Sequence, residues 1–227
     1  MRPSSTEGVW AARRPKQEFS PRELSRIGAR SEPSHRAPGN RDRFVQMFVL
    51  GVDPGLSRCG YGCVEQRGRT QRAIAAGVIA TPPGMPIAER LGELQREFRA
   101  LLGELAPDEV AIERVLFQVN VRTAMSVGQA SGVLMAEAVN AGCSVTEYSP
   151  NEVKQAVAGW GAASKDQVGR MVQTMLGIDH PLRPVDASDA IAIALCHLAR
   201  RSRVPRDLGS EPSHHPASGR RRAAKGV

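Results

Sequence analysis

The chain has 227 residues, of which 41% are hydrophobic and 24% are charged, and its formal net charge is +8. This composition is that of a soluble globular protein, and no apolar run reaches the roughly 18 residues that a transmembrane helix needs. The N-terminus has no apolar core of a secretory signal and the four cysteines form no C-x-x-C pair, so membrane, secreted and zinc-finger proteins are excluded. We therefore expect a cytoplasmic protein with reduced, passive thiols, and the alternative is a zinc site or thiol chemistry.

The excess of positive charge lies at the two ends of the chain. Residues 1–46 carry ten Lys or Arg against five Asp or Glu, and residues 200–227 carry eight against two. The middle segment, residues 47–199, carries thirteen against sixteen, a net charge of −3. The sequence pI of about 10.0 therefore belongs to the ends and does not by itself indicate that the folded part binds nucleic acid.

Composition also predicts the domain boundaries. Both ends are rich in Pro, Ser, Gly and Arg and lack a regular apolar period, which is typical of disordered segments. We therefore predict one domain over 47–200 and a disordered basic tail over 201–227. Residues 1–46 are expected to be a disordered or misassigned extension, with Met47 as the functional start.

The first half of this domain has the pattern of three strands and a helix. A continuous apolar run at 48–52, ended by Asp53-Pro54-Gly55, predicts a strand that is buried on both faces. Short strands at 61–65 and 73–80 would complete an antiparallel meander. Apolar residues then recur every three or four positions, which predicts an amphipathic helix through Ile87, Leu91, Leu94, Phe98, Leu101 and Leu105.

The second half alternates strands and helices. The strand at 110–113 is expected to run parallel to the first strand, because a helix connects them. The remaining predicted elements are a helix at 123–141, a strand at 144–148 and helical pieces near 150–158, 164–176 and 186–200. This order predicts an α/β fold with a five-stranded mixed sheet flanked by helices.

Two helix starts carry capping boxes, at residues 149–152 and 164–167. Lys154 and Lys165 therefore lie near helix N-termini, where the macrodipole disfavours a cation by about 0.3–1 kcal/mol. Either solvent screens this cost, or the two lysines are held there for a phosphate, which the free N–H groups would also bind. The residues alone leave both interpretations open.

Acidic residues stand at the ends of three predicted elements. Asp53 and Glu113 each end a buried strand, and parallel neighbouring strands would present both carboxylates at one edge of the sheet. Asp186 and Asp189 are three residues apart and share one face of the last helix. Singly, each acid can be explained as part of a turn or a helix cap.

Taken together, these acids favour a metal site. Asp53, Asp186 and Asp189 have no Lys or Arg beside them in the sequence, and crowded carboxylates cannot all ionise unless a cation joins them. Oxygen ligands without His or Cys favour Mg²⁺ or Mn²⁺. Two such ions about 4 Å apart are the usual device for displacement at a phosphodiester.

Four segments resemble the RuvC family of Holliday junction resolvases: GVDPGLSRCGYG at 51–62, AIERV at 111–115, VKQAV at 153–157 and DASDAIAIA at 186–194. The resemblance implies a ribonuclease-H-like fold and a homodimer. It also implies Mg²⁺-dependent symmetric nicking of four-way DNA junctions in recombination and repair, alongside the RuvA and RuvB branch-migration proteins.

The resemblance assigns the four acids to metal binding. One of two Mg²⁺ ions, for which Mn²⁺ can substitute, would hold the attacking water, and the other would stabilise the leaving 3′ oxygen. Asp53 would bridge both ions, and Glu113 and Asp186 would each complete one side. Asp189 would be a further ligand or lie just behind the ligands. The products would carry 5′-phosphate and 3′-hydroxyl ends.

The resemblance also implies DNA contacts. Lys154 and Lys165 match basic residues that contact the DNA backbone. Leu116 stands where some members have a Phe that wedges the junction open, and Phe117 lies beside it, so either can be the residue that faces DNA. The alternative for Phe117 is a core aromatic.

Two symmetric cuts need two sites related by a two-fold axis. The small residues Gly128, Ala130, Ser131 and Gly132 are a candidate dimer contact, although packing within one subunit explains them equally well.

Two other functions compete with this one. The segment at 51–55 also resembles the phosphate loop of actin-like ATPases, but those proteins need two such domains. A non-catalytic module that binds four-way junctions is the second rival, and it would be expected to have lost at least one of the four acids.

Overall fold

The structure is a computed structural model that describes residues 46–115 and 121–202, except the side chains of 121–123. The predicted tails, apart from Gln46, Arg201 and Ser202, and the segment with Leu116 and Phe117 lie outside the described residues.

Five strands form one mixed sheet. They are β1 (Gln46–Asp53), β2 (Arg58–Arg67), β3 (Thr70–Ala80), β4 (Glu109–Glu113) and β5 (Ser144–Tyr148). Their spatial order is β3-β2-β1-β4-β5. The first three strands pair antiparallel, and β4 pairs parallel with both β1 and β5. The predicted meander and the parallel crossover are both confirmed.

Five helices are described on the two faces of this sheet. They are α1 (Ile87–Leu105), α2 (Val121–Asn140), α3 (Pro150–Ala158), α4 (Lys165–Leu176) and α5 (Val185–Arg201). Both predicted capping boxes are present: Ser149 accepts from the N–H of Glu152, and Ser164 accepts from the N–H of Gln167. Among these helices, none combines the length and the hydrophobicity that crossing a membrane requires.

The side chains of β1 alternate between two apolar cores, as expected for a strand buried on both faces. Leu50 and Val52 pack with α1 and α2, whereas Val49 packs with α3, α4 and α5. Gly51 and Asp53 lie on the same face as Val49, because successive side chains of a strand point to opposite faces. Asp53 therefore lies on the side of the sheet that α5 covers.

Glycines on two strands allow α5 to lie directly against the sheet. A Cβ atom on Gly51 would be 2.0 Å from the carbonyl oxygen of Ala190, and one on Gly60 would be 2.2 Å from that of Asp186. Only glycine permits these approaches. Since Gly60 pairs with Asp53 across β1 and β2, the N-terminal end of α5 is held beside the carboxyl end of β1.

The four cysteines are free and buried. Burial raises the pKa of the Cys59 thiol to about 12 and that of Cys196 to about 11, so both thiols stay protonated at neutral pH. The four thiols are free, as expected, and their passivity stays a prediction.

Candidate active site

Asp53 and Glu113 lie side by side at the carboxyl ends of two parallel strands. Val52 of β1 pairs with Ile112 of β4, so the following residue of each strand reaches the same edge of the sheet. Ala111 packs in the core beneath α5, and Glu113, two residues on, shares that face. The two carboxyl groups are hydrogen-bonded to each other. The predicted meeting of these acids at one edge is confirmed.

This pair of carboxyl groups shares a proton near neutral pH. Burial raises the pKa of Asp53 to about 7, and the negative charges of Glu113 and Asp189 add to the effect. Burial also raises the pKa of Glu113, which accepts a hydrogen bond from Asp53. Two partly buried carboxyl groups that hold one proton between them form a place where a cation can bind by displacing that proton.

Asp189 reaches this edge from α5 and is paired with a lysine of α4. The Nζ of Lys165 donates to Oδ2 of Asp189 at 2.9 Å, and this hydrogen bond raises the pKa of Lys165. The charge of Lys165 also opposes, in part, the rise in the pKa of Asp53 and of Glu113. Lys165 therefore places a positive charge beside three of the acids, Asp189, Asp53 and Glu113.

Asp186 is paired with Arg58, the first residue of β2. Nε and Nη2 of Arg58 both donate to Oδ2 of Asp186, at 3.0 and 2.7 Å. The sequence shows no Lys or Arg beside Asp186 or Asp189, but the fold brings Arg58 and Lys165 to them from distant positions. The two α5 acids are thus already neutralised by side chains of the protein itself.

The four acids do not converge on one point, because they face different partners. Within residues 46–115 and 121–202, no three His, Cys, Asp or Glu side chains converge closely enough to hold one metal ion. Asp53 and Glu113 face each other, while Asp186 and Asp189 each face a cation. The donor set is nonetheless all carboxylate, which fits a cation that prefers oxygen ligands.

The profile of one protein family, described as crossover junction endodeoxyribonuclease RuvC, matches residues 49–197. The chain belongs to the RuvC family. RuvC of Salinispora arenicola is 49% identical over 162 residues, which cover 70% of this chain and 93% of that protein. RuvC of Moorella thermoacetica is 46% identical over 151 residues, which cover 66% of this chain and 90% of that protein.

Among solved structures, Thermus thermophilus RuvC in complex with a Holliday junction substrate matches with a TM-score of 0.65 at 37% identity. The match covers 68% of this chain and 94% of that one. The predicted ribonuclease-H-like fold and nuclease activity are confirmed by family membership. Dependence on divalent metal ions is a general property of RuvC nucleases.

The two lysines predicted to contact DNA lie near the acids of this RuvC-family site. Lys154 is partly buried on α3, and its charge lowers the pKa of Glu113. Lys165 has a side chain that is 75% exposed and faces solvent as well as Asp189. The two lysines therefore bring positive charge to an otherwise acidic edge, which suits an approaching phosphate.

A buried arginine, which sequence reasoning missed, holds the loop between β1 and β2. Nη2 of Arg90 donates to Oγ of Ser57 at 2.6 Å, and its Nε donates to Oγ1 of Thr81 at 3.0 Å. Thr81 in turn donates to the carbonyl oxygen of Leu56. This loop of the RuvC-family motif connects Asp53 to Arg58. Its hydrogen bonds therefore fix the backbone positions of both residues.

A second missed residue, His197, anchors the C-terminal half of α5. Its Nδ1 lies 3.0 Å from the hydroxyl of Tyr148, and its Nε2 is hydrogen-bonded to the carboxylate of Glu109. Arg201 pairs with the same carboxylate. Burial lowers the pKa of His197, which favours a neutral ring. A lone His in an apolar helix gives no sequence signal for such a role.

Proposed function

We propose that this chain resolves Holliday junctions by symmetric, metal-dependent hydrolysis of phosphodiester bonds, as a crossover junction endodeoxyribonuclease of recombination and repair. The observation that carries the proposal is the position of Asp53 and Glu113, which end two adjacent parallel strands at the edge where α5 presents Asp186 and Asp189. The junction-bound structure of Thermus thermophilus RuvC supports the choice of substrate.

Asp53, Glu113, Asp186 and Asp189 would hold the divalent ions, two Mg²⁺ per subunit with Mn²⁺ as a substitute. The residues fit this group, because the donors are carboxylate oxygens and the proton shared by Asp53 and Glu113 can be displaced by a cation. When bound, divalent ions supply Lewis-acid stabilisation of the charge that develops at the phosphate and activate the attacking water.

The residues of the chain position the DNA strand for this reaction. Lys154 and Lys165 bind backbone phosphates, and the raised pKa of Lys165 keeps its ammonium charged across the physiological range. Leu116 and Phe117 follow Glu113 closely in the chain, and we place the wedge that opens the junction on one of them. Because the carboxylates at the sheet edge repel phosphates, the DNA strand binds where its phosphates contact these lysines.

The outer face of α2 supports a homodimer. Met125, Gly132 and Val139 are exposed along one stripe of this helix, and large apolar side chains are rarely exposed together without a partner. Of the small residues that the sequence offered as a contact, Ala130 and Ser131 are buried within the subunit. We therefore assign the dimer contact to this stripe, with Gly132 allowing close approach.

The remaining features come from the family resemblance alone. RuvA and RuvB are the expected partners in branch migration, and the cytoplasm is the expected location. We also propose that the nuclease domain spans 47–200, with Gln46 of β1 and Arg201 of α5 at its limits, and that the basic ends outside these limits are not required for cleavage.

The experiment that tests the function compares nicking of a mobile four-way junction with nicking of plain duplex, with and without Mg²⁺. We expect paired symmetric nicks in the junction only, and only with Mg²⁺. Glu104→Gln, which changes an exposed acid on α1, serves as a control and should cut like the wild type. Binding of the junction without nicking under any metal condition would instead indicate the non-catalytic module.

A further inference from the structure

Arg58 is a cation at the acidic edge, and its ion pair with Asp186 is weak enough to be exchanged. Its side chain is 53% exposed, and that of Asp186, its partner, is 33% exposed. Ion pairs with this much exposure typically contribute about 0–1 kcal/mol, because water competes for both groups. The guanidinium can therefore exchange its carboxylate for another anion at little cost.

The backbone of Arg58, in contrast, is fixed. Arg58 opens β2 and pairs with Ala80 of β3. The preceding residue, Ser57, is held by Arg90, and its carbonyl oxygen accepts a hydrogen bond from the N–H of Thr81 at 3.2 Å. A long side chain on a fixed backbone can reach only a limited region, and that region contains Asp186.

The geometry of the pair shows what else the guanidinium can bind. Two N–H donors of Arg58 converge on one carboxylate oxygen of Asp186. Arginine uses the same fork of donors for phosphate oxygens, which carry a similar charge. The carboxylate of Asp186 thus occupies the position at Arg58 that a backbone phosphate can take.

A metal ion and Arg58 compete for this carboxylate. A divalent cation on Asp186 would place two positive groups against one another, and their repulsion favours departure of the guanidinium. The freed cation would then lie at the edge where the DNA strand must pass.

We propose that Arg58 is a phosphate-binding residue for the junction strand, held by Asp186 in the metal-free chain and transferred to a backbone phosphate when a divalent cation occupies Asp186. This role rests on the proposed function, because it requires both a metal ion and DNA at the acidic edge. It predicts that Arg58 weakens metal binding in the absence of DNA and strengthens DNA binding only in the presence of metal.

The first arm of the test measures Mn²⁺ binding to the full-length chain without DNA, by electron paramagnetic resonance. Arg58→Ala should tighten Mn²⁺ binding by about twofold to fivefold, the range that an exposed ion pair is worth. Lys154→Ala is the matched control, since Lys154 is also a cation near these acids but forms no ion pair with a described carboxylate. An equal gain in both variants would mean general electrostatics and would overturn the exchange.

The second arm measures junction affinity over a range of salt concentrations, once with Ca²⁺ in place of Mg²⁺ and once with EDTA. Denaturing gels check that the junction stays intact. With Ca²⁺, Arg58→Ala should flatten the slope of log K against log[salt] by about 0.9, the value for one lost phosphate contact. With EDTA the slope should not change, because Asp186 already holds Arg58. Arg58→Lys should restore the slope, since an ammonium also binds phosphate.

The outcomes separate the inference from the proposed function. A slope change that is equal with Ca²⁺ and EDTA, or absent in both, would overturn the exchange while wild-type cleavage still supports a resolvase. If the wild type neither binds nor cuts junctions, the proposed function fails, and the Mn²⁺ arm still tests the Arg58–Asp186 competition. Circular dichroism of each variant confirms that the exposed substitution leaves the fold intact.

Discussion

The two ends of α5 meet the rest of the protein in opposite ways. At the N-terminal end, Asp186 and Asp189 form exposed ion pairs with side chains from the start of β2 and from α4. At the C-terminal end, His197 is buried and hydrogen-bonded to Tyr148 and Glu109. The difference separates two tasks within one helix: the buried end fixes the helix, and the exposed end keeps carboxylates that can change partners.

Among substitutions at the acidic edge, beside the N-terminal end of α5, removal of Asp53 should have the largest effect. Asp53→Asn keeps the size of the side chain but removes the carboxylate that faces Glu113. We expect junction cleavage to fall by on the order of 10³-fold, which corresponds to about 4 kcal/mol of barrier. Junction binding should remain or improve, because negative charge near the phosphates is lost. Cleavage near the wild-type rate would show that Asp53 is not in the catalytic centre; Glu104→Gln is the control.

Removing His197 should have the largest effect on the buried end. His197→Ala leaves Glu109 and Tyr148 buried without this partner, which should lower the free energy of unfolding by about 2–4 kcal/mol. Urea denaturation measures the change. His180→Ala, at an exposed position, should change stability by less than about 0.5 kcal/mol. Equal stability of the two variants would mean that the His197 network does not anchor α5.

The pH dependence of stability should reveal the proton shared at the acidic edge. The folded metal-free chain raises the pKa of Asp53 from 3.8 to about 7, so the folded state binds this proton more tightly than the unfolded state. Stability therefore falls as pH rises from about 4 to about 7. Asp53→Asn, which cannot titrate, should be more stable than the wild type at pH 8, by up to about 4 kcal/mol, but not at pH 4.

Thermal unfolding of the wild type and Asp53→Asn at a series of pH values, with EDTA, checks this prediction. Glu104→Gln should track the wild type throughout. A difference between Asp53→Asn and the wild type that does not depend on pH would contradict the assigned titration.

The lysines beside the exposed end should have smaller effects. Lys154→Ala and Lys165→Ala should each flatten the slope of log K against log[salt] for junction binding by about 0.9. The loss should be similar for junctions of different sequence, because phosphate contacts position DNA without specifying bases. Unchanged slopes in both variants would show that the two lysines are ordinary solvated side chains that do not contact phosphates.

Trimming the two basic ends should have the smallest effect on cleavage. The described fold begins at Gln46, whose side chain donates to Glu65, so removal of 1–45 and 204–227 leaves β1 to α5 complete. We expect junction nicking to persist while affinity for plain duplex falls, most clearly near 0.01 M salt, where the Debye length is about 30 Å. Loss of nicking in a folded trimmed chain would show that an end takes part in the catalytic complex.

The sequence predicted the strands and helices well wherever an apolar pattern was present. The predicted second and third strands began several residues late, because the polar residues at Arg58 and Thr70 give no apolar signal and are held by ladder hydrogen bonds. The buried run before Asp53 was identified correctly, since a strand covered on both faces reads as continuously apolar.

The candidate site could be predicted in part. Asp53 and Glu113 end adjacent parallel strands, and that follows from local pattern and chain order. The pairing of Arg58 with Asp186 could not be foreseen, because 128 positions separate the two residues and the contact depends on α5 lying against Gly60. Pairings of this kind are set by packing between elements, which a single sequence does not display.

The most direct test of the metal site is calorimetric titration of the metal-free, full-length chain with Mn²⁺ at pH 7, in two buffers of different ionisation enthalpy. We predict that the wild type and Glu104→Gln bind Mn²⁺ and release a proton, because the ion displaces the proton shared by Asp53 and Glu113. Asp53→Asn should bind at least about tenfold more weakly and release none. Equal affinity and equal proton release in Asp53→Asn would contradict a metal site at this edge of the sheet.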